Sequence, residues 1–348
     1  MSQQSLETSG EFLRLSRQHP ELFSSPTTFN VKDNQSRVTI FAPGIICFEP
    51  TIDHGGDKDI VLSAGVHGNE TAPIEICDTL VQRIIQGQLS VAHRVLFLFA
   101  NLPAMDIAQR FVQEDINRLF SGAHSENPGL VNYERKRAKQ LEQAIEGFFQ
   151  AAASGRRRRY HYDLHTASRA SKNEKFAVYP FLHGKPRSAE QIRFMAACGV
   201  NTILLSETPA TTFSYFSSNT FGAHALTVEL GIVRPFGQND MSRFEATRAT
   251  MERLLSELEL ELPNFDPDSI YIYRVNQIIT KHHGDFEFTF PDETPNFTDY
   301  PKGHVLAREQ GKDYVTEHDG EAIVFPNANV ALGQRALLTV IPARLDEA

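Results

Sequence analysis

"IVLSAGVHGNETAPIEI", residues 60–76, runs from an unbroken apolar segment into a helical pattern across one short corner. An apolar run of that length, closed by glycine, predicts a strand buried on both faces, as in parallel sheets. Beyond the corner, Ile74, Cys77, Val81, Ile84 and Ile85 recur at the spacing of one helix face. "RVLFLFANL" at 94–102 predicts a second buried strand, and the alternation then repeats. An amphipathic helix over 133–149 precedes the strand "RYHYDLH" at 159–165, and a helix through "AEQIRFMAACG" precedes "NTILLSE" at 201–207. "AHALTVELG" at 223–231 reads as a further strand, followed by a helix over 243–260. Upstream, the Pro43-Gly44 turn in "VTIFAPGIICFE" predicts a hairpin.

Strands and helices alternating at these lengths predict an α/β fold: a mostly parallel, mixed sheet with helices on both faces. At "LPNFDPDS" the composition shifts to Pro and Asp, and helical periodicity ends. Residues 1–262 are therefore expected to form the α/β domain and 263–348 a β-rich domain.

Composition narrows the function. With 348 residues, 41% of them hydrophobic, the chain can bury a full-size core. A formal charge of −9 argues against nucleic acid as a partner, and the basic run Arg156–Arg159 is short enough to be a solvated approach to the next strand. The first residues lack the apolar core of a secretory signal, and no window has the run of about 20 apolar residues that spans a bilayer. A cytoplasmic protein without a membrane partner is expected. Cys47, Cys77 and Cys198 are odd in number and widely spaced, which predicts reduced thiols without a disulfide framework.

His67 and Glu70 sit just past the end of a predicted central strand, where loops of an open sheet diverge and ligands bind. An imidazole and a carboxylate three residues apart can reach one ion, and Zn²⁺ accepts both donor types. His165, ending another strand, is the candidate third ligand, with Asp163 two residues earlier placed to orient it. The HxxE spacing alone is common; its union with a second strand-end histidine in an alternating chain is much more specific. A catalytic zinc leaves a position for water, and hydrolysis then needs a carboxylate beside it to move protons. Glu229, flanked by apolar residues at a strand end, suits that task, although a lone glutamate before a glycine also suits a plain turn. Residues 101–122 bring Arg110, Asp115, Asn117 and Arg118 close together, a set able to grip a carboxylate or an oxyanion, or equally to form a solvated surface segment.

Together, "GVHGNE", the "NLPA…RF…DINRLF" block, "YDLHTA" and "TVELG" resemble the succinylglutamate desuccinylase and aspartoacylase family, relatives of zinc carboxypeptidases. The motifs occur in family order from about residue 40 onward, and the desuccinylase branch is the nearer. The resemblance implies a carboxypeptidase-like α/β domain and a β-rich domain that narrows access to the active site. It implies one Zn²⁺ per subunit on His67, Glu70 and His165, with Glu229 as general base and then general acid. Arg110 would polarise the scissile carbonyl, and Asn117 and Arg118 would hold a substrate carboxylate. Tyr215 falls near a substrate-contacting tyrosine of the aspartoacylase branch, but "SYFSSNTFG" lacks the arginine that follows it there, which favours the desuccinylase branch.

The implied substrate is a small anionic N-acyl amino acid, N-succinyl-L-glutamate, cleaved to succinate and L-glutamate as the last step of arginine degradation by the succinyltransferase pathway. Three alternatives stand beside it: an aspartoacylase-like hydrolase of another N-acyl amino acid, a peptide-cleaving carboxypeptidase, and a metal-binding relative without catalysis.

Overall fold

The computed structural model describes residues 3–151, 157–262 and 269–344. Two short helices, α1 (Gln3–Ser9) and α2 (Phe12–Gln18), lead into β1 (Thr27–Val31), β2 (Ser36–Ala42) and β3 (Ile45–Pro50), which pair antiparallel in sequence order. The predicted hairpin is the β2–β3 pair.

The alternating part follows, with β4 (Lys58–Ala64), α3 (Thr71–Ile85), β5 (Arg94–Phe99), the short α4 (Leu102–Asp106) and α5 (Tyr133–Gln150). After these come β6 (Arg158–Ala167), β7 (Phe176–Tyr179), α6 (Ala189–Ala197), β8 (Thr202–Leu205), α7 (Phe213–Phe221), β9 (His224–Ile232) and α8 (Glu245–Ser256). The C-terminal part is all β: β10 (Tyr271–Thr280), β11 (Glu287–Phe288), β12 (Thr298–Tyr300), β13 (Val305–Glu309), β14 (Lys312–Val315), β15 (Glu321–Val324) and β16 (Arg335–Pro342).

A sheet of 13 strands runs in the order β1-β2-β3-β5-β4-β6-β9-β7-β8-β10-β16-β15-β12. Its centre, β5-β4-β6-β9, is parallel; β7 is antiparallel to β9, and β8 and β10 follow β7 in parallel. The expected mixed sheet is thus present, and burial shows why helices cover both faces. Along β4, Ile60, Leu62 and Ala64 join one core with Ile74, Cys77, Val81 and Ile84 of α3. Val61 points the other way, into a second core with Ala138, Leu141, Ile145 and Phe148 of α5. Each Val, Leu, Ile or Phe side chain among these, fully removed from water, contributes about 1.5–3 kcal/mol.

Two features add to the sequence reading. The β-rich segment continues the main sheet, because β10 pairs parallel with β8 from Tyr271↔Thr202 to Arg274↔Leu205. Only β11, β13 and β14 form a separate small sheet among the described residues. The boundary segment itself, residues 263–268, lies outside the described residues, as does Arg156. The remainder of the basic run is engaged rather than merely solvated: Arg157 pairs with Asp59 at 2.6 Å and Arg158 with Asp57 at 2.9 Å, while Arg159 donates to the Phe149 and Phe221 carbonyls.

Cys47, Cys77 and Cys198 are buried and unpaired, and burial pushes all three thiols up. No helix among the described residues is long and apolar enough to cross a membrane.

Candidate metal centre and active site

The corner after β4 is built by close approach. A Cβ on Gly68 would lie 2.1 Å from the Ala104 carbonyl carbon, so the backbones of the corner and of α4 can touch only because residue 68 is glycine. The Gly68 N–H donates to the Arg110 carbonyl at 3.1 Å, which ties the Arg110 loop to this corner. Glu70 then stands at the N-terminal boundary of α3.

Around Glu70 the two histidines are arranged alike. His67 Nδ1 lies 2.8 Å from Glu70 Oε1 and His165 Nδ1 lies 2.9 Å from Glu70 Oε2. The opposite ring nitrogens are each held by an aspartate: His67 Nε2 is 3.0 Å from Asp115 Oδ1, and His165 Nε2 is 2.8 Å from Asp163 Oδ2. Carboxylates holding the outer nitrogens leave both Nδ1 atoms facing inward, the arrangement that orients histidines on a metal.

A metal ion fits this set on two observations. The donor atoms of His67, Glu70 and His165 all lie within 4.8 Å of one another. His67 Nδ1 is buried and makes no hydrogen bond among the described residues despite its proximity to Glu70 Oε1, so the two atoms converge on a common point without bonding each other. The electrostatics agree. Burial opposes the charge on Glu70, yet His67 and His165 outweigh it and hold its carboxyl well below the usual range. Burial likewise disfavours a charged His165, but Asp163 and Glu70 raise its proton affinity well above normal, which reflects a negative field suited to a cation.

Behind His165 runs a buried polar chain. Asp163 Oδ1 accepts from Ser63 Oγ at 2.5 Å, Ser63 Oγ meets His161 Nε2 at 2.8 Å, and His161 Nδ1 meets Ser217 Oγ at 2.7 Å. This chain fixes Asp163 and through it the His165 ring. Asp163→Asn is therefore expected to weaken metal binding about 10- to 100-fold. Competition against a chelating dye measures this, and an unaltered affinity would remove Asp163 from the orienting role.

Glu229 sits on β9 directly beside His165 in the β6–β9 register. Its Oε2 is buried without a hydrogen-bond partner among the described residues. Burial, reinforced by Glu70 and partly offset by His165, His67 and Arg110, pushes its carboxyl up to about 7. A base with that proton affinity is matched to exchange near neutral pH.

Arg110 reaches the same place, with Nη1 3.0 Å from Glu70 Oε1 and Nη2 3.5 Å from Asp115 Oδ2. Asn117 Oδ1 accepts from the Phe213 N–H at 3.0 Å, and its amide NH₂ makes no hydrogen bond among the described residues. Among the described residues Arg118 donates only to the Asn117 carbonyl, at 3.0 Å, and Tyr215 Oη meets His183 Nε2 at 2.9 Å. All of these side chains, with His67, Glu70, His165 and Glu229, line one cavity of about 630 Å³.

Some contributors carried no sequence signal. Glu134, at the start of α5, accepts from Val112 N at 2.7 Å and Gln113 N at 3.3 Å and so fixes the loop after Arg110. Arg137, on a face that reads as apolar, donates to the carbonyls of Ala100, Phe99 and Pro43. Arg169 and Arg335 also line the cavity, and only the folded chain brings them there.

Known proteins match this chain along nearly all of its length. Residues 56–255 match the model of the succinylglutamate desuccinylase/aspartoacylase catalytic domain, and residues 268–343 match that of the AstE/AspA barrel-sandwich hybrid domain. A protein of Pseudoalteromonas atlantica named succinylglutamate desuccinylase is 57% identical over 98% of this chain and 97% of its own length. One of the same name from Shewanella putrefaciens is 52% identical, with 98% of each chain covered. The crystal structure of the succinylglutamate desuccinylase from Chromobacterium violaceum superposes with a TM-score of 0.83 at 38% identity, covering 97% of this chain and 99% of that one. With both of its parts matched in order, the chain belongs to the succinylglutamate desuccinylase/aspartoacylase family.

Proposed function

We propose that the protein is a zinc-dependent amide hydrolase that cleaves N-succinyl-L-glutamate to succinate and L-glutamate. The observation that carries this reading is the meeting, in one cavity, of the His67–Glu70–His165 donor set with the buried, unpartnered carboxylate of Glu229. Relatives that share 57% and 52% of their residues with this chain, and that bear the name succinylglutamate desuccinylase, support the choice of acyl group.

The Nδ1 atoms of His67 and His165 and the carboxylate of Glu70 would hold the zinc, whose usual ligands are such N and O donors. When bound, that ion supplies a Lewis acid that lowers the pKa of water and polarises a carbonyl. Glu229 takes the proton of the attacking water and returns it to the amide nitrogen as the C–N bond breaks. Arg110 donates to the carbonyl oxygen as negative charge develops there. Asn117 and Arg118, with free donors, hold a carboxylate of the amino-acid half, and Tyr215 contributes to the wall beside it.

A cavity of about 630 Å³ suits a substrate of this size. Residues 1–262 carry the chemistry, and 263–348 narrow the access. The reaction would close arginine degradation by the succinyltransferase route, in a cytoplasm that keeps the three cysteines reduced.

A panel of N-acyl amino acids assayed on the zinc-loaded protein tests the reading. N-succinylglutamate is expected to lead in kcat/KM over N-acetylaspartate and over dipeptides; equal or faster turnover of either rival would overturn the substrate assignment.

A further inference from the structure

The cavity contains an arginine that nothing above uses. Arg335 opens β16, where its backbone is registered against Thr280 of β10 and is followed by the fully buried Ala336 and Leu337. Its guanidinium lies over the Phe325 ring, 5.5 Å from the centroid, and makes no ion pair or hydrogen bond among the described residues. The other cavity arginines differ. Arg110 is held between Glu70 and Asp115, and Arg169 donates to the Thr294 carbonyl at 2.9 Å and the Pro326 carbonyl at 3.3 Å. Burial, together with the repulsion of Arg118 and Arg110 and only partly offset by Asp115, brings the Arg335 guanidinium down to about 9. That is the condition of a cation short of its counter-ion.

We propose that Arg335 is a specificity-determining residue that binds one of the two substrate carboxylates not attached to the amino acid Cα. This inference rests on the substrate reading given above. N-succinylglutamate carries three carboxylates. Asn117 and Arg118 account for the one on Cα, and Arg110 is committed to the reacting carbonyl. Two negative charges remain to be placed in a cavity already lined by Glu70, Asp115 and Glu229. Without a cation they would lose water with nothing to replace it, at a cost of several kcal/mol each. Arg335 offers a planar fork of donors on a rigid strand, with its face steadied by Phe325. The carboxylate is either the terminal group of the acyl chain or the side-chain group of glutamate, and both have the same recognition chemistry.

The test compares wild type, Arg335→Gln and Arg335→Lys on three substrates: N-succinylglutamate, N-butanoylglutamate and N-succinylnorvaline. Each of the last two replaces one distal carboxylate by a methyl group. Arg335→Gln is expected to raise KM for N-succinylglutamate about 10- to 100-fold with kcat little changed. It should also abolish the wild-type preference over one isostere only. Loss against N-butanoylglutamate assigns Arg335 to the acyl carboxylate, and loss against N-succinylnorvaline assigns it to the side-chain carboxylate. Arg335→Lys, which keeps the charge, should lose less of the same preference, and it serves as the readout if the glutamine variant does not fold. A uniform effect on all three substrates, or none, overturns the proposal while leaving the substrate reading intact. A wild type inactive on N-succinylglutamate overturns both.

Discussion

Glu229→Gln is expected to lower kcat about 10²- to 10⁴-fold, the range by which a positioned acid–base group accelerates proton transfer. Metal content should stay at the wild-type level. The substitution is nearly isosteric and acts on a group that has no hydrogen bond at Oε2 to lose, so the folded state should tolerate it. An amide cannot accept the water proton, and burial gives no solvent base a path to replace it. Steady-state kinetics paired with metal analysis decides the matter. A variant that keeps both zinc and wild-type kcat would falsify the assignment, whereas one that loses zinc would show Glu229 to be part of the metal's support.

Removal of the metal is expected to abolish activity and lower the thermal midpoint, and return of Zn²⁺ should restore both. The loss of stability follows from linkage, because a ligand present at 1,000 times its Kd stabilises the fold by about 4 kcal/mol. It also follows from the site itself. Without a metal ion, Glu70, Asp115 and Asp163 crowd two imidazoles in a buried region, with the Arg110 guanidinium set only against Glu70 and Asp115. Full activity after exhaustive chelation would defeat the whole catalytic reading.

The part of the fold legible in sequence is the part with long, continuous apolar signals. β4 and β6 announce themselves because both of their faces are buried, and α3 and α5 because their apolar residues keep helical spacing. β7, "FAVY", has only four residues, too few for periodicity to separate a strand from a loop. α7, "FSYFSSNTF", was also hidden: its serines and aromatics are poor helix formers, and packing against the sheet overrides that propensity. The candidate metal donors were legible because strand ends and a HxxE turn sit at fixed places in an open sheet. Arg335 was not, because its meaning arises from the path of β16, and a lone arginine before an apolar strand says nothing about the cavity it will face.

The parallel seam between β8 and β10 has a practical consequence. All four residues of β8 are buried, and β10 covers one side of it. Cutting the chain near residue 262 would not release a finished hydrolase with an open mouth. It would bare a short, otherwise wholly buried strand edge, the kind of surface that recruits other chains into aggregates. The α/β part and the β-rich part thus depend on each other for solubility, so the chain should tolerate changes of cavity side chains more readily than loss of the β-rich segment.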